Sequence, residues 1–175
     1  MKYERGNVEW IVSEIDKLVY KENVFDIAVA GEVIEHCAYP EEIVSNILKY
    51  VKPGGFLILT TPNGNYLNSH LPTFRQLSQK TLRKQFESIQ FGPDGDNHLF
   101  LFKLDELNDI VPTNADIIEK GYVGGTVLIN KYSRHLIKKL PIKVVEYLLR
   151  IVSRIPIINR TTCYNVYVIL QKNIL

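Results

Sequence analysis

The chain has 175 residues, enough for one domain of ordinary size. Its 46% hydrophobic and 23% charged residues make a globular composition, which excludes a disordered or fibrous chain. The net charge is only +2 but lopsided, since residues 1–129 sum to −6 and residues 130–175 to +8. A basic C-terminal third on an acidic body suits a nucleic-acid or anionic-membrane contact, or else a solvated face. Cys37 and Cys163 form neither a disulfide framework nor a zinc pattern, so a cytoplasmic protein is expected. No apolar h-region follows Met1, and no run approaches the ~18 apolar residues of a membrane span, so a soluble chain is expected.

In chain order, apolar residues at 8, 11, 12, 15, 18 and 19 predict an N-terminal helix within residues 1–24. Phe25 to Gly31 is short, almost wholly apolar and closed by glycine, which predicts a buried strand. Pro40-Glu41-Glu42 opens a helix with acids where its dipole favours them, and Ile43, Ile47, Leu48 and Val51 form its apolar stripe. Lys52-Pro53-Gly54-Gly55 stops it, and Phe56 to Thr61 predicts a second strand ending at Pro62-Asn63-Gly64. Strand, helix and strand without a hairpin turn predict a right-handed parallel βαβ unit.

Residues 64–98 read as irregular or short-helical, with a Gly92-Pro93-Asp94-Gly95 turn. A helix over Leu104 to Ile110 and a strand over Asp116 to Gly121 follow. Residues 131–155 read as basic helices broken at Pro141, and Cys163 to Leu170 as the last strand. The fold class is α/β.

Chemistry concentrates after the first strand, at Gly31-Glu32-Val33-Ile34-Glu35-His36. Glu32, Glu35 and His36 stand at i, i+3 and i+4, so one helical turn would put all three on one face. Open α/β sheets hold their ligands just past the carboxyl ends of their strands, where this segment lies. Two carboxylates and an imidazole there can hold a divalent cation, Mg or Mn before Zn, or can simply be solvated acids beside a histidine. His98 follows the second strand and could supply a fourth ligand from across the cleft, whereas His70 and His135 read as surface.

These residues carry a family resemblance. Phe25-Asp26 through Glu32-Val33-Ile34-Glu35-His36, then Pro40, Val51-Lys52-Pro53-Gly54-Gly55 and Thr61-Pro62-Asn63, resemble the central half of a class I S-adenosylmethionine-dependent methyltransferase. The Glu-x-x-Glu-His element is similar to two groups: O-methyltransferases of ubiquinone biosynthesis, and 2′-O-methyltransferases acting on small RNAs. Both carry a later histidine ahead of a Phe-rich segment, as His98 precedes Phe100 and Phe102 here. The resemblance implies Glu32, Glu35, His36 and His98 as metal ligands, with Mg or Mn as the ion. It implies Gly31 beside S-adenosylmethionine, and His36 or His98 as base or ligand. The acceptor it implies is a small or lipid-like molecule, with RNA as the alternative.

The family opens with a strand, a Gly-rich turn and an acidic residue after its second strand, and the 24 residues before Phe25 hold only Gly6. The expected architecture is therefore a partial Rossmann-like sheet, strands four to seven of the family with helices on both faces. It comprises a core over 25–127, a basic helical insertion over 128–160 and a final strand within 161–175. Weak or absent cofactor binding by the chain alone is expected, as is a non-catalytic remnant or subunit as a further alternative. The strand at 25–31 would be a bare edge open to a second copy, a partner chain or the N-terminal helix. Val144, Leu148, Ile151, Val152 and Ile155 form one stripe among Lys143, Arg150 and Arg154. That stripe packs on the domain or, across 138–160, gives peripheral contact with anionic lipid.

Overall fold

The structure is a computed structural model that describes residues 11–13, 17–67, 69–77, 80–87, 98–126, 138–152 and 155–174. Its centre is the expected unit of β1 (Phe25–Gly31), α1 (Pro40–Tyr50) and β2 (Val51–Pro62), with β1 and β2 parallel. α2 (Lys80–Glu87) is short, and β3 (Ala115–Thr126) leads toward α3 (Ile142–Val152), α4 (Pro156–Thr162) and β4 (Cys163–Lys172). The sheet order is β1-β2-β4-β3, so the last strand in sequence inserts between β2 and β3, antiparallel to both.

Register explains the core. Ala28 and Ala30 stand beside Leu57 and Leu59, which face Leu170 and Val168 across the next pair. Side chains alternate along a strand, so these residues share one face. On that face they bury together with Val44 and Leu48 of α1, Ile34, Phe74, Phe100, Phe102, Leu107 and Ile110. The opposite face starts with Ile27 and Val29, which are 56% and 70% exposed. β1 is an edge strand of the described sheet.

Four elements differ from the sequence expectation. β1, expected to be buried, is exposed along most of its length as an edge of the described sheet. Ile11–Ser13 and Leu18–Asn23 are not helical, and Val12 and Val19 are exposed. An amphipathic stripe needs a surface to bury against, because a short helix is marginal without tertiary packing; the remainder of the expected helix lies outside the described residues. β2 starts at Val51 rather than Phe56, since the Pro-Gly-Gly segment is absorbed as a bulge between the Phe25–Val51 and Ile27–Phe56 pairs. β3 runs on through the glycines that suggested its end. Gly121 lies beneath the Tyr167 ring, where a Cβ would come within 2.9 Å of it, and register shifts mark bulges at either end of this edge strand. The expected turn at residues 92–95 and the helical reading of 131–137 lie outside the described residues.

Lys172 closes the α1–β2 junction. Its ammonium donates to the carbonyls of Leu48 and Val51, at 2.8 and 2.9 Å, and to Asn23. A cation there meets the negative end of the α1 dipole. Gly55 is the tightest point of the bulge, since a Cβ would sit 2.8 Å from both the Asp26 carbonyl oxygen and Val51 Cγ1. Gly55→Ala should therefore lower stability by about 1–3 kcal/mol, read as a lower urea midpoint with an unchanged slope.

Candidate metal and acceptor site

The site forms where β1 and β2 end. Glu32 follows β1 with φ of 55°, and a short 3-10 turn over Ile34–His36 comes next. The i, i+3, i+4 spacing therefore does not act as one α-helical turn, and Glu32 and Glu35 go to different places. Thr60 and Thr61 receive them. The Thr60 hydroxyl donates to Glu32 Oε1 at 3.3 Å, and the Thr61 hydroxyl to Glu35 Oε2 at 2.9 Å. Adjacent strand residues face opposite ways, so Glu35 lies on the core face with Thr61, and Glu32 lies with Thr60 on the other.

Glu35 is fully buried. Its Oε2 has Thr61, while Oε1 has no hydrogen-bond donor. His36 Nε2 lies 3.8 Å from Oε1 and His98 Nε2 lies 4.0 Å from it. The two imidazoles meet edge to face with centroids 4.7 Å apart. Burial pushes the Glu35 carboxyl above its ordinary range, and the Glu32 charge adds to the rise; its backbone hydrogen bond, Thr61 and His36 oppose it. Cys37, next in sequence, has its thiol pushed up to about 11 by burial and the Glu35 charge, so it stays protonated and unreactive.

His98 arrives by a different route. The Leu99 amide donates to the Glu35 carbonyl at 2.9 Å, fixing the residue after His98 to the residue before His36. The strand-like run beyond it is held by Leu101 to Pro72 and Phe102 to Pro62, and by the packed rings of Phe74, Phe100 and Phe102. Buried Glu106 secures the far end, accepting from the Thr73 hydroxyl and the Lys103 amide at 2.8 Å each.

One oxygen and two imidazole nitrogens from Glu35, His36 and His98 lie within 4.8 Å of one another. An unsatisfied buried oxygen between two half-buried imidazoles fits a divalent ion. The donor set suits Mn or a later ion better than Mg, which prefers oxygen alone. The structure brings together Glu35, His36 and His98, and does not bring Glu32 into their cluster. Gly31 ends β1 beside Thr60, whose hydroxyl lies 3.3 Å from where a Cβ would stand. Sequence reasoning placed Thr61 in a motif without a role; its position at the end of a strand paired with β1 was the available signal.

Known proteins agree with this frame. The methyltransferase-domain family model matches residues 1–59. Pseudomonas aeruginosa UbiE, a ubiquinone/menaquinone biosynthesis C-methyltransferase, is 27% identical over 103 residues, covering 51% of this chain and 40% of that protein. A Rickettsia akari ubiquinone biosynthesis O-methyltransferase is 29% identical over 62 residues, 35% of this chain and 24% of that protein. A candidate methyltransferase of Bacillus halodurans superposes with a TM-score of 0.53 at 12% identity, covering 98% of this chain and 74% of that one. The cyclase SpnF superposes at 0.50 with 13% identity, over 93% and 55%. These structural likenesses show the fold alone, and one fold hosts many chemistries. Sequence matches, sheet and motif together define a methyltransferase-type α/β domain. Over part of its length the chain is similar in sequence to methyltransferases, and it spans about 40% of the length of the UbiE relatives it matches.

The raised Glu35 pKa sets a sign for pH. The folded chain holds this proton more tightly than the unfolded chain, so the stability it contributes is complete below the ordinary carboxyl range and is lost as pH rises through the raised value. At neutral pH, Glu35→Gln should therefore raise the melting temperature of the ion-free chain. The same substitution should abolish stabilisation by Mn²⁺, which for the native chain reaches about 2.7 kcal/mol at ~100 Kd of free ion. Thermal melts with and without Mn²⁺ check both signs.

Proposed function

We propose that this chain carries the acceptor side of a methyl-transfer site. It places a divalent ion on Glu35, His36 and His98 and directs a methyl group to the oxygen of a small or lipid-like acceptor. The supporting observation is the Glu35 carboxylate, buried at the carboxyl end of β1 with one oxygen unsatisfied between two imidazoles. The relatives in quinone biosynthesis favour an acceptor of this class, and the motif resemblance favours S-adenosylmethionine as methyl donor.

A divalent ion in this place would lower the pKa of an acceptor hydroxyl and orient it. The residues of the chain do the rest. Glu35, ionised, supplies negative charge that offsets a dication close to a sulfonium. His36 and His98 hold the site from two elements, each giving its one acceptor nitrogen to the ion, so the hydroxyl proton would pass to solvent. The carbon–sulfur bond of the sulfonium breaks as the carbon–oxygen bond forms, leaving the neutral thioether and a proton released to water. Gly31, without a side chain, leaves room for the donor against the end of β1. β1 is an edge of the described sheet, where a further strand could pair.

The UbiE relatives are C-methyltransferases, which favours ring carbon as the competing target. Calorimetric titration of S-adenosylmethionine with and without Mn²⁺, followed by labelled-methyl transfer to a panel of phenols and polyprenyl phenols, separates the two. The expected result is an O-methyl product whose rate falls at least ~100-fold in Glu35→Gln. A C-methyl product, or an undiminished rate in that variant, would overturn the proposal.

A further inference from the structure

Among the described residues, α3 presents apolar side chains that are largely exposed. Ile142 and Tyr147 are 70% and 64% exposed, and Val144, Leu148 and Ile151 are exposed as well; only Val145 is half-buried among its described apolar side chains. Lys143, Glu146 and Arg150 fall at i, i+3 and i+7, which confines the charges of the helix to one strip. By sequence, apolar residues therefore occupy most of the helix circumference, more than the single stripe a protein groove would take. Ahead of the helix, Lys138 and Lys139 are exposed.

Charge indicates what covers this surface. Residues 138–160 hold six Lys/Arg and one Glu, against a net of −6 over residues 1–129. A uniformly anionic plane would attract this arm and repel the body, which sets an orientation as well as an affinity. No described helix is long and apolar enough to cross a membrane, and α3 at 11 residues is only ~16 Å long, so it can lie in an interface but not span one.

We infer that α3 lies in the surface of an anionic lipid bilayer, with its apolar sides among the acyl chains and its basic residues at the headgroups. The next element fixes where that contact falls. Asn63 donates through Nδ2 to the carbonyls of Arg160 and Cys163, at 2.9 Å each, tying the end of α4 to the end of β2. Asn63 is two residues past Thr61, the partner of Glu35. A lipid surface at α3 therefore approaches the same end of the sheet as the candidate site. The inference stands on α3 and its charge, and methyl transfer could fail while lipid contact holds.

Vesicle flotation of the full chain tests it, using phosphatidylcholine alone and an equal mixture with phosphatidylglycerol. The chain should float with the mixed vesicles, release as salt is raised, and stay down with phosphatidylcholine alone. Leu148→Glu with Ile151→Glu should cut the bound fraction by about tenfold or more, and so should Lys138→Glu with Lys139→Glu and Lys143→Glu. These side chains are exposed, so circular dichroism of the variants should match the parent. Tyr147→Trp in a Trp10→Phe background should show blue-shifted emission on mixed vesicles. No flotation with either vesicle, or flotation unchanged by Leu148→Glu with Ile151→Glu, would overturn the inference. So would a vesicle-free dimer that those substitutions dissociate, since a second copy would then own the face.

Discussion

Burying a carboxylate completely is costly unless something charged or hydrogen-bonding answers it. At Glu35 the protein answers only half of the group. Thr61 satisfies one oxygen, and the other is directed between His36 and His98. The surroundings are arranged to keep it so. The Leu99 amide ties the His98 segment to the Glu35 backbone, and the Phe74, Phe100 and Phe102 cluster closes the core beneath. A half-satisfied buried acid weakens a fold, so its presence favours a ligand that restores the balance.

The sheet explains how one short segment serves two sides. β1 and β2 end together, and Thr60 and Thr61 point to opposite faces as successive strand residues must. The core face receives Glu35 and the two imidazoles, while the other receives Glu32 beside Gly31. Insertion of β4 between β2 and β3 leaves β1 at the edge, with Ile27 and Val29 open on the face opposite the core.

Much of this was legible in the sequence. α1 and β4 lie where a Pro-Glu-Glu start and a β-branched tail put them, because local pattern and tertiary burial agree there; β1 also lies where its apolar run put it, though most of it is exposed. What escaped was set by contacts distant in sequence. The Gly54-Gly55 stop expected after α1 became a bulge within β2, and β3 ran past its expected end at Gly121 with register shifts of its own. The N-terminal stripe found no surface among the described residues and stayed irregular at Leu18–Asn23. At the site, Glu35, His36 and His98 could be named from spacing and family resemblance. The departure of Glu32 could not, because it depends on a left-handed residue at the strand end and on which threonine faces which side.

The central claim is that the Glu35 oxygen completes an ion site with two imidazoles. Anomalous diffraction at the manganese edge, on crystals of the chain grown with Mn²⁺, tests it most directly. The account predicts one peak in contact with Glu35 Oε1, His36 Nε2 and His98 Nε2, with Glu32 still held by Thr60. A peak on Glu32 without the histidines, or none within reach of Glu35, would contradict it.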